Sequence, residues 1–230
     1  MTDFQRVYFY HIRKCAGQSI YHAVLENLCP GVTSVRTENL LSRAQIMVCD
    51  DKLIVGWSAR EIDRGDYDFA FSHYPMHELK PMPNTTFTFT CFREPSERVI
   101  SHYRMLRGFC QTKQRRDVLR AERRWVRKSF SAFLDNLPQN HLMAQLWAFS
   151  PSYNPDEALK NVAKLSYWFT VDDFSAGLAE LGRRIGMDLE EKRVRPSSFE
   201  FDATDDDLAR LREMLEPEYK LWDGLKELGA

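Results

Sequence analysis

A short polar stretch at residues 14–19 has the side chains expected of a phosphate-binding loop. It follows an apolar run at residues 7–10 and leads into apolar residues at helical spacing. The first turn of a helix presents unpaired N–H groups and a positive dipole end, which favour a phosphate. Lys14 adds a full charge, Gly17 lets the backbone approach a ligand closely, and Ser19 adds a hydroxyl donor. This stretch, the lysine segment, therefore predicts an anion site; an ordinary strand-to-helix turn is the alternative.

The lysine segment differs from the P-loop of ATP- and GTP-hydrolysing enzymes. That motif reads Gly-x-x-x-x-Gly-Lys-Ser/Thr, so its lysine directly follows the second glycine and a hydroxyl follows the lysine. Here Lys14 precedes Gly17, and no hydroxyl follows it to hold magnesium. A P-loop-like kinase or NTPase, which would need ATP and magnesium, is therefore kept only as an alternative.

A second stretch, residues 93–101, has the side chains to bind another phosphate, and we call it the arginine segment. Arg93 follows a strand-like run at residues 87–92, and Pro95 suits the first turn of a helix. Ligands of open α/β sheets bind at the carboxyl ends of the strands, which is where Arg93 is expected. Arginine forks onto phosphate oxygens, and Ser101, about two helical turns further on, adds a hydrogen bond.

Alternating strand and helix patterns must position these residues. Further strand-like runs are at 52–55, Phe69–Ser72 and 167–171. Helical patterns are at 96–106, 113–134, 141–149, 156–165, Phe174–Ile185 and 204–215. This order predicts an α/β fold: a P-loop-like, mainly parallel sheet flanked by helices, with a helical C-terminal half. Residues 1–230 are expected to form one domain.

The charge is nearly balanced overall but segregated along the chain. The net charge of -1 argues against a general polyanion binder, and no nucleic-acid partner is expected. Residues 104–128 are strongly basic, and this stretch overlaps the helix predicted at 113–134. The side chains that could dock an anionic saccharide are Arg115, Arg116, Arg120, Arg123 and Arg124. A solvated basic face is the alternative, and Arg98 and Glu97 are likewise interpreted as a solvated helix pair.

Cysteine usage and the N-terminus indicate a cytoplasmic protein. The five cysteines form no Cys-x-x-Cys pair, which argues against a disulfide framework or a structural zinc site. The first residues show no signal peptide, and no apolar run is long enough to span a bilayer.

The two segments together resemble those of sulfotransferases that use 3′-phosphoadenosine 5′-phosphosulfate (PAPS). KCAGQS, the lysine segment, is similar to their 5′-phosphosulfate loop, Pro-Lys-x-Gly-Gly-x-Ser. REPSERVISHY, residues 93–103, resembles their 3′-phosphate motif, Arg-Asp-Pro-x-x-Arg-x-x-Ser-x-Tyr. The resemblance is greatest to the carbohydrate-type branch that includes heparan-sulfate 2-O-sulfotransferases, and weaker likeness extends over residues 71–75, 140–146 and 169–174.

The resemblance implies that the protein moves a sulfuryl group from PAPS to an acceptor hydroxyl on a carbohydrate, leaving adenosine 3′,5′-bisphosphate (PAP), without a metal. The implied cofactor contacts are Lys14, Cys15, Ala16, Gly17, Gln18, Ser19, Arg93 and Ser101. The departures from the family pattern are Arg13 for proline, Cys15-Ala16 for a glycine-containing pair, Glu94 for aspartate, and no arginine near Gln145.

His73 is the candidate general base, with Lys14 as the second catalytic residue. An alcohol acceptor must lose a proton, and the near-neutral pKa of histidine suits this transfer. His73 follows the strand Phe69–Ser72 and aligns with the histidine that the resemblance assigns as base. His11 is the rival candidate, and Trp57 could stack on adenine or belong to the core. A binding module without catalysis remains a further alternative, and it would not need His73.

Overall fold

A computed structural model of the chain describes residues 4–31, 45–111, 122–126, 129–191 and 203–229. Its centre is a sheet of six strands in the order β2-β3-β4-β1-β5-β6. The strands are β1 (Arg6–Tyr10), β2 (Gln45–Cys49), β3 (Lys52–Gly56), β4 (Phe69–Ser72), β5 (Thr86–Phe92) and β6 (Tyr167–Thr170). All neighbouring pairs are parallel except β2 and β3. The predicted α/β class with a mainly parallel sheet is thus confirmed.

Helices cover the sheet and form the C-terminal half. They are α1 (Gly17–Leu28), α2 (Ala59–Arg64), α3 (Pro95–Gln111), α4 (Phe130–Asn136), α5 (Gln139–Leu142), α6 (Ala144–Phe149), α7 (Pro155–Val162), α8 (Phe174–Ile185), α9 (Asp205–Met214) and α10 (Glu216–Leu228). Short 3₁₀ turns lie at Met76–Glu78 and Glu122–Val126. None of the helices in these described ranges is both long and apolar enough to cross a membrane.

Two of the predicted helices are wrong in detail. The helix predicted at 113–134 is not continuous: Glu122–Val126 is a 3₁₀ turn, and the Ser129 hydroxyl accepts the Ala132 N–H at 3.2 Å to begin α4 separately. Such a cap satisfies an N–H group that a continuing helix would bond internally. Residues 113–121 lie outside the described part of the chain. The helix predicted at 141–149 is divided at Met143, between α5 and α6.

Alternation along β1 divides the core into two layers. Val7 and Phe9 face the layer that contains α1 and α8, whereas Tyr8 and Tyr10 face the layer that contains α6, α7 and α10. Phe9 stacks on Phe89 of β5 at 4.7 Å between ring centroids, and both are fully buried. Each such phenyl group contributes roughly 1.5–3 kcal/mol by its burial.

The register places the functional loops together. Tyr10, the last residue of β1, pairs with Ser72 of β4 on one side and with Thr90 of β5 on the other. The Thr90 hydroxyl also donates to the Tyr10 carbonyl at 2.8 Å. The chain that follows β1, β4 and β5 therefore emerges at one edge of the sheet, with the lysine segment, His73 and the arginine segment close by.

Candidate functional site

The lysine segment is a strained turn at the start of α1. Lys14 and Ala16 both adopt left-handed backbone conformations, with φ of 72° and 52°. This conformation costs a residue with a Cβ about 1–2 kcal/mol. Ala16 is the N-cap residue of α1, and alanine has no side-chain oxygen with which to cap the first N–H groups. The turn therefore leaves these donors to backbone, solvent or a ligand.

Gly17 is required by a close packing contact. A Cβ added at Gly17 would lie 1.8 Å from Nε2 of His11, so the imidazole fills the space that any larger residue would need. Close approach of a ligand to the Gly17 backbone stays a prediction, and the group that the structure places against Gly17 is a protein side chain. The contact fixes His11 against the beginning of α1.

Lys14 and Arg93 form a positively charged pair of groups at the edge of the sheet. Lys14 is half-buried, and the structure shows no acidic partner for its ammonium group among the residues it describes. Burial, followed by the positive charges of Arg93 and Arg13, lowers the pKa of Lys14 to about 8. A bound anion would relieve the repulsion between Lys14 and these arginines. The arrangement therefore favours an anion between the lysine and arginine segments.

The arginine segment has the predicted strand-to-helix form. Arg93 follows β5, is 26% exposed, and lies 3.2 Å from the Glu97 carboxylate. Glu94 accepts the Glu97 N–H at 2.6 Å, which caps the start of α3. Ser101 lies half-buried on α3, where it remains a predicted contact.

Arg98 is not part of a solvated pair, so that interpretation was wrong. Its side chain is 0% exposed, and its Nε lies 3.6 Å from the Glu218 carboxylate, which is also fully buried. Arg98 also donates to the Leu142 carbonyl. Its burial is explained by its contacts with two other elements, the Leu142 carbonyl of α5 and Glu218 of α10. Glu218 lies 120 positions away along the chain, and no local pattern indicates the pair.

A cavity of about 370 Å³ opens beside the lysine segment. It is lined by Tyr10, His11, Ile12, Arg13, Trp57, Ser72, His73, Tyr74, Pro75, Glu78, Asn140, His141, Ala144, Trp147 and Ala148. Two indole rings and two phenol rings contribute to this wall, together with a few polar groups. This mixture suits a compact ligand that has both an apolar face and hydrogen-bonding groups.

His73 is held in one tautomer by the backbone. Its Nδ1 contacts the carbonyl oxygen of His11, and a carbonyl only accepts, so Nδ1 carries the proton and Nε2 keeps its lone pair. The side chain is exposed towards the cavity, while protein groups surround the rest of the ring. Packing of protein groups around the ring, followed by the charge of Arg13, lowers the pKa of His73 to about 4. His73 is therefore neutral at pH 7 and has a free acceptor nitrogen.

His11, the rival base, is much less accessible. It is 7% exposed and stacks on Phe9 at 5.2 Å, although it lines the same cavity, with its ring centroid 4.4 Å from that of His73. Burial holds the pKa of His11 well below its ordinary value, and His73 adds to the effect. The structure thus brings both histidines to the site and gives His73 the better access.

Trp57 lies at this site and also packs against the core, with its ring edge-on to Phe71. It is half-buried, lines the cavity and packs against His73 at 4.6 Å between ring centroids. Its φ of 55° is unusual for a bulky residue. Left-handed strain of this kind concentrates at functional sites. Stacking of Trp57 on adenine stays a prediction. The contact that the structure shows is between the rings of Trp57 and His73, and it orients the imidazole.

Arg13, which stands where the sulfotransferase motif has proline, is bonded to Glu122, a residue that the sequence did not indicate. Its guanidinium lies 2.6 Å from the Glu122 carboxylate. Burial raises the pKa of Glu122, but His102 and Arg13 outweigh this effect and lower it to about 2. The pair anchors one end of the lysine segment to the 3₁₀ turn.

The predicted basic docking surface falls largely outside the described residues. Arg115, Arg116 and Arg120 lie in the undescribed part of the chain, as does the side chain of Arg123. Arg124 is exposed and does not line the cavity. Among the described residues, no group of three or more His, Cys, Asp or Glu side chains is arranged to hold a metal ion.

Comparison of the sequence with known proteins does not assign the chain to a family. No protein-family model and no curated protein sequence matches the chain. The site must therefore be interpreted from its own geometry and chemistry.

The strain at Ala16 gives a testable prediction. Ala16→Gly should stabilise the protein by about 1 kcal/mol, because glycine adopts the left-handed conformation without a Cβ clash. Chemical denaturation would measure the free energy of unfolding. Ala179→Gly, at an exposed position within α8, is the matched control and should destabilise by about 1 kcal/mol. Equal destabilisation by both variants would contradict the strained turn.

Proposed function

We propose that the protein is a PAPS-dependent sulfotransferase that transfers a sulfuryl group to an acceptor hydroxyl. The observation that carries the proposal is the meeting of Lys14 and Arg93 at the ends of the paired strands β1 and β5. Each lies at the start of a helix, and the charge of Arg93 acts on Lys14. A ligand with phosphate groups at two positions suits two such cationic segments.

The residues around the lysine segment fit the 5′-phosphosulfate end of this ligand. Bound PAPS would supply the sulfuryl group, whose bond to the 5′-phosphate breaks as a bond to the acceptor oxygen forms. Lys14 and the N–H groups at the start of α1 would hold the phosphate and stabilise the negative charge that gathers on it. Arg93 and Ser101 would bind the 3′-phosphate, away from the reacting bond.

His73 would remove the acceptor proton. Its Nε2 has a lone pair at neutral pH, because Nδ1 is bonded to the His11 carbonyl and the pKa of the ring is low. The cavity beside it offers the aromatic rings of Trp57 and Trp147 and polar groups such as Asn140, which suit the apolar faces and hydroxyls of a sugar ring. These features support a compact carbohydrate as the acceptor.

The charge of the cavity favours an uncharged sugar ring over a polyanion. Arg13 is neutralised by Glu122, and Glu78 adds a negative charge. The pKa of His73 and that of His141 are each lowered to about 4, chiefly by burial, so neither adds positive charge at pH 7. An anionic saccharide would depend on the basic stretch at residues 112–121, outside the described part.

The experiment that tests the proposal is a thermal-shift titration with PAP in the presence of EDTA. PAP should stabilise the fold by roughly 2.7 kcal/mol at a hundredfold excess over its Kd, without magnesium. Arg93→Gln should weaken this effect. Arg183→Gln is the matched control, because Arg183 is also ion-paired on a helix, at 2.7 Å from Glu180, but lies on α8. Stabilisation by ATP with magnesium, and none by PAP, would favour a kinase or NTPase instead.

A further inference from the structure

The first turn of α10 contacts the arginine segment directly and the lysine segment through Gln145, although it is far from both in sequence. Glu218 and Tyr219 are the residues involved. Tyr219 reaches Glu94 across 125 positions of the chain. Neither residue belongs to a motif that sequence analysis identified.

Glu218 fixes the start of α6. Its Oε1 accepts the N–H groups of Gln145 at 2.7 Å and Leu146 at 3.3 Å, which no earlier turn of helix can satisfy. Its Oε2 lies 3.4 Å from the side-chain amide nitrogen of Gln145 and 3.6 Å from Nε of Arg98. The carboxylate therefore caps a helix and orients the Gln145 side chain.

Gln145 joins the lysine and arginine segments through one atom. Because its amide nitrogen faces Glu218, its Oε1 points the other way, where it accepts the Arg93 N–H at 2.8 Å and the Cys15 S–H at 3.5 Å. Burial raises the pKa of Cys15 to about 12, so the thiol keeps its proton and remains a donor. Gln145 is itself only 2% exposed, so water does not compete for this oxygen.

Tyr219 supports the arginine segment from the same helix. Its hydroxyl donates to the Glu94 carboxylate and lies 2.7 Å from the Ser96 hydroxyl. The other Glu94 oxygen accepts the Glu97 N–H at 2.6 Å. Glu94 thus connects Tyr219 to the capped start of α3. This contact gives a structural role to Glu94, which stands where the sulfotransferase motif has aspartate.

We propose that Gln145 and Tyr219 are positioning residues that set the separation and orientation of the lysine and arginine segments. The proposal rests on the proposed function, since it concerns the site for the two ends of PAP. Recognition of a ligand with two phosphates requires both cationic groups to be held within a fraction of an ångström of the binding geometry. The Gln145 oxygen shared by the two segments supplies that constraint, together with the Tyr219 hydroxyl that bonds to Glu94 at the start of α3.

A positioning role makes a different prediction from a purely structural one. Replacing Gln145 by methionine keeps the volume and leaves Glu218 bonded to the two backbone N–H groups of α6, but removes the oxygen shared by Arg93 and Cys15. Tyr219→Phe removes only the hydroxyl. Tyr167→Phe is the matched control, because the Tyr167 hydroxyl donates to the Gly177 carbonyl at 3.2 Å beside α8, away from both segments.

The test measures PAP affinity by calorimetry and the midpoint of thermal unfolding for all four proteins. Tyr219→Phe should weaken PAP binding about threefold to tenfold, the range for one lost hydrogen bond. Gln145→Met, which removes the oxygen that accepts from both Arg93 and Cys15, should weaken it at least as much. Tyr167→Phe should lower the unfolding midpoint by a similar amount but leave the Kd unchanged. If Gln145→Met does not fold, the comparison of Tyr219→Phe with Tyr167→Phe decides whether the positioning role holds.

Two outcomes would count against different claims. Wild-type affinity for PAP in both Gln145→Met and Tyr219→Phe, with only their stability lowered, would overturn the positioning role while leaving the proposed function intact. Failure of the wild-type protein to bind PAP would overturn the proposed function itself, and with it the positioning role.

Discussion

Replacing His73 by alanine is expected to lower kcat by roughly 10²–10⁴, with PAP affinity nearly unchanged. The reason is that Nε2 of His73 is the accessible acceptor nitrogen in the cavity, whereas His11 is packed against Gly17. A screen of neutral saccharides for transfer of radiolabelled sulfate from PAPS would identify an acceptor. The kcat of each variant would then be measured with the best acceptor. His22→Ala, on α1, is the control, since His22 does not line the cavity.

The pH dependence of the wild-type enzyme gives a second measure of the same role. In the proposed reaction neutral His73 is the active form, and its pKa is lowered to about 4, so kcat/KM should fall only as pH decreases towards 4. The fold also loses stability as pH drops below the ordinary histidine pKa, because buried neutral histidines bind fewer protons than in the unfolded chain. Activity should therefore be corrected for the folded fraction. Near-normal turnover in His73→Ala would move the base assignment to His11.

Replacing Lys14 by alanine is expected to lower kcat by about 10²–10³, with a smaller loss in PAP affinity. Negative charge grows on the 5′-phosphate as the bond to sulfur breaks, so a cation there stabilises the transition state more than the ground state. Lys160→Ala, at an exposed position on α7, is the control. An equal loss in kcat and in PAP affinity would assign Lys14 to binding alone.

The same lysine should set the alkaline limit of activity. Lys14 must be protonated to act, and its pKa is lowered to about 8 by burial and by Arg93. The wild-type kcat/KM should therefore decrease above about pH 8, since this parameter reports the free enzyme. A bound phosphate would raise the pKa of Lys14, so the decrease in kcat should come at higher pH. Absence of any shift between the two profiles would contradict contact between Lys14 and the phosphate.

Much of the fold could be predicted because its central elements have strong local patterns. The strand Phe69–Ser72 and the helix Phe174–Ile185 are apolar runs or periodic segments, and the structure shows both at the predicted bounds. The positions of Lys14, His73 and Arg93 follow from parallel strands, whose carboxyl ends meet at one edge. β2 was missed because it is an edge strand, where Val48 is 69% exposed and the apolar signal is weak.

The parts of the site that were missed depend on contacts between distant residues. Glu122 and Glu218 are ordinary acidic residues in charged stretches, and only the fold shows that they face Arg13 and Arg98. Arg98 was assigned to solvent because its neighbour Glu97 suggested a surface pair, whereas its side chain contacts Leu142 of α5 and Glu218 of α10. The left-handed conformations of Ala16 and Trp57 could not be predicted from residue type either, because such conformations are expected at glycine and neither residue is glycine.

The position of α10 has a consequence for how the site is assembled during biosynthesis. The lysine and arginine segments leave the ribosome long before Glu218 and Tyr219, which lie more than a hundred positions later in the chain. Contacts between residues so far apart form late, because the chain loses much conformational freedom before they stabilise it. A nascent chain could thus contain both motifs on a folded sheet and still lack the groups that orient them. We infer that tight ligand binding develops only after α10 has been synthesised and has packed against α3 and α6.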